Sequence, residues 1–228
     1  MTELNLPAIA NDVHELLAKD TSGHGMQHVE RVEGLAVSFA KKEGADIGTV
    51  ALIALLHDVD DYKLFGKESA DNLTNANKIL DTYDVDKVRK GLALDAIRSM
   101  GYNKYLEGVR PATLEGQIVS DADMCDAIGS IGILRTHAYA LSKGNEFFDK
   151  TQAPIDRSLS ADQYRSAKHE HSVQHFFDKL LTIPSILLTE SGREEGEKRK
   201  NIMTTFLSEL FEEEGSHEWQ DYLRKYEN

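Results

Sequence analysis

The sequence predicts an all-α fold, and three observations carry that expectation. Apolar residues recur at helical spacing along nearly the whole chain. Aliphatic side chains outnumber the aromatic ones, and only 4 prolines interrupt 228 residues. No pair of alternating segments joined by a turn signal reads as a hairpin. At this length one core suffices, so a single compact domain over residues 1–228 is expected, closing on C-terminal helices over about 182–228.

The elements follow in order. Leu6 to Ala18 reads as a first helix, ended by TSGHG, where Gly23 and Gly25 disfavour continuation. A second runs from about Met26 to Lys42, with Val29, Val32, Leu35, Ala36 and Phe39 on one stripe and Gly44 as its C-cap. IGTVALIALLHD, from Ile47 to Asp58, is apolar nearly all round, which marks a central buried helix. Further helices are expected near 67–81, 85–100, 113–127 and 128–142. GNEFFDKTQAP reads as a loop, a long helix is expected near 160–181, another near 185–214, and a short one closes the chain. Ser191 to Lys200, SGREEGEKRK, reads as a solvated helical face.

The net charge of −13 argues against a nucleic-acid polymer as partner, because such a surface repels a polyphosphate backbone. It leaves room for a small anion held by a metal ion and a few local cations. Cys125 is the single cysteine, so no intramolecular disulfide forms, which suits a reducing compartment. The N-terminal stretch lacks the basic and apolar regions of a signal peptide, and no apolar run approaches a membrane span. A cytoplasmic protein with no membrane partner is expected.

His57-Asp58 is the most informative pair. Two ionisable side chains directly after ALIALL are costly in a core unless something binds them, and a divalent cation does so well. The plain alternative is a helix end meeting solvent. His28, in HVERV, and Asp123, in VSDADMCDAIG, lie on other predicted helices. Alone, His28 reads as a half-buried histidine and Asp123 as a surface acid. Together with the pair they offer two imidazoles and two carboxylates from three helices to one point.

The order His, His-Asp, Asp on successive helices resembles the HD-domain superfamily of metal-dependent phosphohydrolases. GHGMQHVERV, ALLHDVDDYK, VSDADMCDAIGSIGILRT and HFFDKLL are similar to the motifs of a bacterial subgroup of small HD hydrolases and span about residues 23–181. The resemblance implies an HD-type helical fold and a divalent metal (Mn, Co, Mg, Fe or Ni) held by His28, His57, Asp58 and Asp123. It also implies a small phosphorylated substrate, foremost (deoxy)nucleoside triphosphates cleaved to monophosphate and pyrophosphate. A 5′-nucleotidase acting on monophosphates and a non-catalytic nucleotide- or partner-binding module are the alternatives, and a homodimer is compatible with the pattern. Gly25-Met26 and Met124-Cys125 depart from residues frequent in the subgroup and alter the pocket wall, while every ligand position is kept. Residues 59–122 contain no histidine, where two-metal HD proteins carry extra ones, so one metal per chain is expected.

Other positions take roles around that site. Asp61 is i+4 from His57 and i+3 from Asp58; if the helix continues one turn it faces the metal side, as the general base or anchor of the attacking water. It matches the family's acidic residue after the pair; Asp60, i+3 from His57, is the rival. Arg31, i+3 from His28, and Lys63 are candidate phosphate ligands, and His24 is assigned to the substrate phosphates. Asp126, i+3 from Asp123, is a candidate to brace it. His169, His171 and His175 could form a metal cluster, but read better as a helix packing near the site. Cys125 reads as a small core residue.

Overall fold

Asn5 starts the first helix of the computed structural model, which describes residues 4–18, 25–155 and 171–226. Its side chain accepts from the amide of Ala8 at 3.3 Å, and Pro7 sits in the first turn, where its missing N–H costs nothing. The helix, α1 (Leu6–Leu17), buries Ile9, Val13 and Leu17 along one stripe. α2 (Met26–Glu43) buries His28, Val29, Val32, Ala36, Phe39 and Ala40, and stops at Gly44, whose φ of 75° is left-handed. α3 (Ile47–Leu56) begins at Asp46, which accepts from the amide of Thr49 at 2.7 Å. Every residue from Thr49 to Leu56 is buried. A helix with no polar face needs neighbours on all sides, and α3 packs against α1, α2 and α6 (Lys87–Ser99).

The segment after α3 departs from the periodicity. In place of one helix over 67–81 there are two, α4 (Tyr62–Asn72) and α5 (Thr74–Thr82). α4 is itself bent at Gly66, at φ 80° and ψ 170°. Leu73 divides the two helices at φ 49°, a left-handed conformation that a branched side chain adopts only where the surroundings compensate. After α6 comes a short helix that the sequence pattern did not suggest, α7 (Tyr102–Leu106), and then α8 (Leu114–Asp126). Gly116 lets α8 start close to α6, since a Cβ there would stand 2.9 Å from Pro111 Cβ and 3.1 Å from Ala96 Cβ.

The chain divides into two compact units, Met1–Asp123 and Met124–Asn228. The first is built around α3. The second holds α9 (Gly129–Lys143), α10 (Ser172–Asp178), a 3-10 segment (Leu180–Ile186), α11 (Glu190–Glu213) and α12 (His217–Leu223). The helix expected over 160–181 is described from Ser172 and ends at Asp178; residues 156–170 lie outside the described residues. Phe177, Phe211 and Trp219 form the aromatic centre of this unit, with Phe177 and Phe211 each less than 6 Å from the Trp219 ring, at 5.6 and 5.7 Å. The segment from Ser191 to Lys200 is less solvated than its charges suggest: Ser191, Gly192 and Gly196 are buried on α11. Arg199 donates to Glu195 at 2.6 Å and to the carbonyl of Cys125 at 2.7 Å, and its stem lies 3.0 Å from where a Cβ on Gly129 would stand. Gly132 serves the turn into α9, because a Cβ there would run into the carbonyl of Ala127. No strand occurs among the described residues, and none of their helices is long and apolar enough to cross a membrane.

Candidate metal centre

His28 lies in the first turn of α2 and is buried, and His57 caps the C-terminal end of α3. The Nδ1 of His57 is 2.7 Å from the carbonyl oxygen of Ala54. A carbonyl only accepts, so Nδ1 carries the proton and the Nε2 of the neutral ring presents a lone pair. That Nε2 stands 3.1 Å from the Nε2 of His28. Asp58 Oδ2 lies 3.4 Å from His28 Nε2 and 3.5 Å from His57 Nε2. Asp123 Oδ1, from α8, lies 3.4 and 3.9 Å from the same two nitrogens. The four residues that the sequence singled out as ligands are thus brought together, within the first unit.

The donor set fits a divalent cation. Two nitrogens each about 2.1 Å from one ion, at ordinary coordination angles, stand roughly 3.0–3.4 Å apart. The ligand atoms of His28, His57 and Asp58 all lie within 4.8 Å of one another. Two nitrogens and two carboxylate oxygens do not select one metal among Mn²⁺, Co²⁺, Mg²⁺, Fe²⁺ and Ni²⁺. Burial pushes the Asp123 carboxyl up, but the hydrogen bond with His28 and the attraction of His57 and His28 in their protonated forms outweigh it, against a smaller opposing effect of Asp58. The carboxyl is held below its usual range, which favours the ionised form that metal ligation would require.

The residues around the quartet divide in a way the spacing did not. α3 does not continue past the ligands: residues 57–60 form a turn, and Asp61 is the N-cap of α4, accepting from the amide of Lys63 at 2.9 Å. Asp60 is buried and both its oxygens are taken, by Ser69, Asn75 and Ala76. Lys63 is exposed in the first turn of α4, and Arg31 is half-buried one turn beyond His28 on α2. His24 and His169 lie outside the described residues. Asp126 pairs with Arg135 at 3.1 Å within the second unit. His171 packs its ring against Phe148 and Trp219, at 5.7 and 5.2 Å, as part of the aromatic centre. Cys125 is buried, its Sγ 3.8 Å from the carbonyl of Gly192, in keeping with a core residue. Sequence reasoning missed the carbonyl of Ala54 and the trio Ser69, Asn75 and Ala76. No residue pattern marks a backbone acceptor, or an acid whose donors lie beyond a bent helix.

The HD domain family model matches residues 25–128, the stretch that holds His28, His57, Asp58 and Asp123. YpgQ of Bacillus subtilis is 31% identical over 87% of this chain and 88% of its own length. The chain belongs to the HD domain family. A solved protein of Lactobacillus plantarum is 32% identical, with a TM-score of 0.79 over 93% of this chain and 98% of that one. An HD-superfamily hydrolase of Bacillus thuringiensis is 29% identical, with a TM-score of 0.72 over 92% of this chain and 97% of that one. YpgQ has been solved in complex with ADP, and in that form is 27% identical with a TM-score of 0.69, over 91% of this chain and 94% of that one. The fold of this HD protein is therefore that of HD-superfamily hydrolases.

Proposed function

We propose that this HD protein is a metal-dependent phosphohydrolase of small phosphorylated metabolites, and that its substrates are (deoxy)nucleoside triphosphates, cleaved to monophosphate and pyrophosphate. The observation that carries the reading is that Asp58 Oδ2 and Asp123 Oδ1 each lie 3.4–3.9 Å from the Nε2 atoms of His28 and His57, which themselves stand 3.1 Å apart. The nucleotide half of the reading is supported by the ADP seen in YpgQ.

His28, His57, Asp58 and Asp123 would hold one divalent ion. When bound, such an ion lowers the pKa of water and polarises a phosphoryl oxygen. Asp61 orients the attacking water and accepts its proton. One of its oxygens is engaged by the Lys63 amide, and the other serves the water. Asp60 is unsuited to that task because both its oxygens are occupied. Arg31 and Lys63 offset charge on the phosphoryl oxygens, with His24 assigned the same role from the sequence. A triphosphate suits this arrangement better than a monophosphate, since separated cations engage several phosphoryl groups at once.

The test is phosphorus NMR of the products formed from a nucleotide panel with Mn²⁺ and with Mg²⁺. Pyrophosphate from triphosphates is expected. Orthophosphate from monophosphates as the main reaction would make the protein a nucleotidase, and metal binding without turnover of any nucleotide would favour a binding module.

A further inference from the structure

Asp60 follows the ligand pair by two residues, yet the proposed chemistry has no use for it. It is a buried acid, 5% exposed, with a full set of donors. Its Oδ1 accepts from Ser69 Oγ at 2.5 Å and from the amide of Asn75 at 2.9 Å. Its Oδ2 accepts from the amide of Ala76 at 2.9 Å. The side-chain amide of Asn75 returns a bond of 2.8 Å to the carbonyl of Val59.

These four bonds do two things. α5 starts at Leu73, which has no side chain able to cap it, so its first amides need an acceptor from elsewhere. Asp60 supplies that acceptor from a distant part of the chain, with its charge at the positive end of the helix. Conversely, the turn that carries His57 and Asp58 needs an anchor. α4, which follows it directly, offers the hydroxyl of Ser69 but buries none of its residues, so it is not itself fixed in the core. α5 supplies that anchor, because Ala76, Ile79 and Leu80 fix it in the core.

We propose that Asp60 is a positioning residue: by fastening the 57–60 turn to α5, it holds Asp58 at the point shared with His28 and His57. This rests on the metal reading above. Loss of a group that braces a metal ligand from behind typically weakens metal affinity by about 10–100-fold. The same bonds hold residues on either side of Leu73, whose backbone is left-handed.

The experiment is calorimetric titration of the full chain with Mn²⁺, alongside thermal melts of each variant. Asp86 provides a matched control: it caps α6 through the amides of Val88 and Arg89, both at 3.1 Å, and has no bond to the ligand turn. Asp60→Ala is expected to raise the Mn²⁺ Kd by about 10–100-fold, as loss of a bracing group does. Asp60→Asn falls between, because it keeps one acceptor but turns an amide donor toward a backbone N–H. Asn75→Ala, which removes only the bond to Val59, raises Kd by a smaller factor and decides the matter if Asp60→Ala does not fold. Asp86→Ala lowers the melting temperature and leaves Kd unchanged. Wild-type Kd in both Asp60→Ala and Asn75→Ala, or an equal rise in Asp86→Ala, would overturn the proposal alone. A wild-type chain that takes up no Mn²⁺ would overturn the metal reading and this proposal with it.

Discussion

His57 Nδ1 lies 2.7 Å from the carbonyl oxygen of Ala54, one turn back on the same helix. This single bond places the proton on Nδ1 and leaves Nε2 facing His28, Asp58 and Asp123. With the proton on Nδ1, the Nε2 lone pair is committed to the point that His28, Asp58 and Asp123 share. A helix end normally leaves its last carbonyls to water. Here one of them orients the His57 imidazole instead.

Removing one imidazole should therefore empty the site. His57→Ala, or His28→Ala, is expected to lose bound metal by elemental analysis and to lose activity, with helical circular dichroism retained. In wild type, metal at about a hundred times Kd adds about 2.7 kcal/mol of stability. For a chain of this size that is a rise in Tm of roughly 5–10 °C, reversed by a chelator. A melt indifferent to both metal and chelator would contradict the assignment.

Asp61 and Asp60 should separate kinetically. Asp61→Asn is expected to leave metal affinity intact and to cut kcat by roughly 10²–10⁴, the scale of a lost general base. Asp60→Ala should instead weaken metal binding and recover part of its activity when metal is added in excess. The reverse pattern, with Asp61→Asn rescued by metal, would exchange their roles.

Acid should act on the second unit through Glu195. Burial raises its carboxyl, but the hydrogen bond and charge of Arg199, with a lesser contribution from Lys198, hold it below the ordinary value of 4.5. A carboxyl depressed in the folded state stabilises fully above its unfolded pKa, and that contribution fades as pH falls from there through the folded value. Glu195→Gln should accordingly lower Tm more at pH 7 than at pH 3, because the contribution shrinks as pH falls below the unfolded value. Equal Tm differences at the two pH values would show that the pair is not the titrating element. The consequence is local: Arg199 also holds the carbonyl of Cys125 at the end of α8.

Two glycines should respond in opposite directions to alanine. Gly132→Ala pushes a Cβ into the carbonyl of Ala127, which is backbone and cannot yield cheaply. A loss of about 1–3 kcal/mol in urea denaturation is expected. On α2, Gly34 has nothing within 4 Å of its would-be Cβ, so Gly34→Ala should gain about 0.5–1 kcal/mol from helix propensity alone. A neutral Gly132→Ala would mean that the turn into α9 relaxes freely.

The sequence alone determined most of the helices and singled out the four residues that the fold brings together, because both are written locally. Periodic apolar positions, Asp46 as a cap and Gly44 as a stop act within a few residues of themselves, and α1, α2, α3, α6, α8 and α9 appear within two residues or so of where the pattern put them. An ionisable pair closing the most apolar helix is likewise a local contradiction that marks a site. Tertiary structure decided the rest. The period over 67–81 gave no warning of Leu73, whose left-handed backbone divides α4 from α5 just before the amides that Asp60 gathers. Helical spacing placed Asp61 on a continuing helix, whereas the chain turns at 57–60 and Asp61 begins α4. His171 and His175 share metal-ligand spacing, yet the ring of His171 joins an aromatic core that only the folding of α11 and α12 assembles. Side chains that answer to their neighbours in sequence can be read one residue at a time, but those that answer to a distant hydrogen bond or a buried surface acquire their role only when the chain has closed on itself.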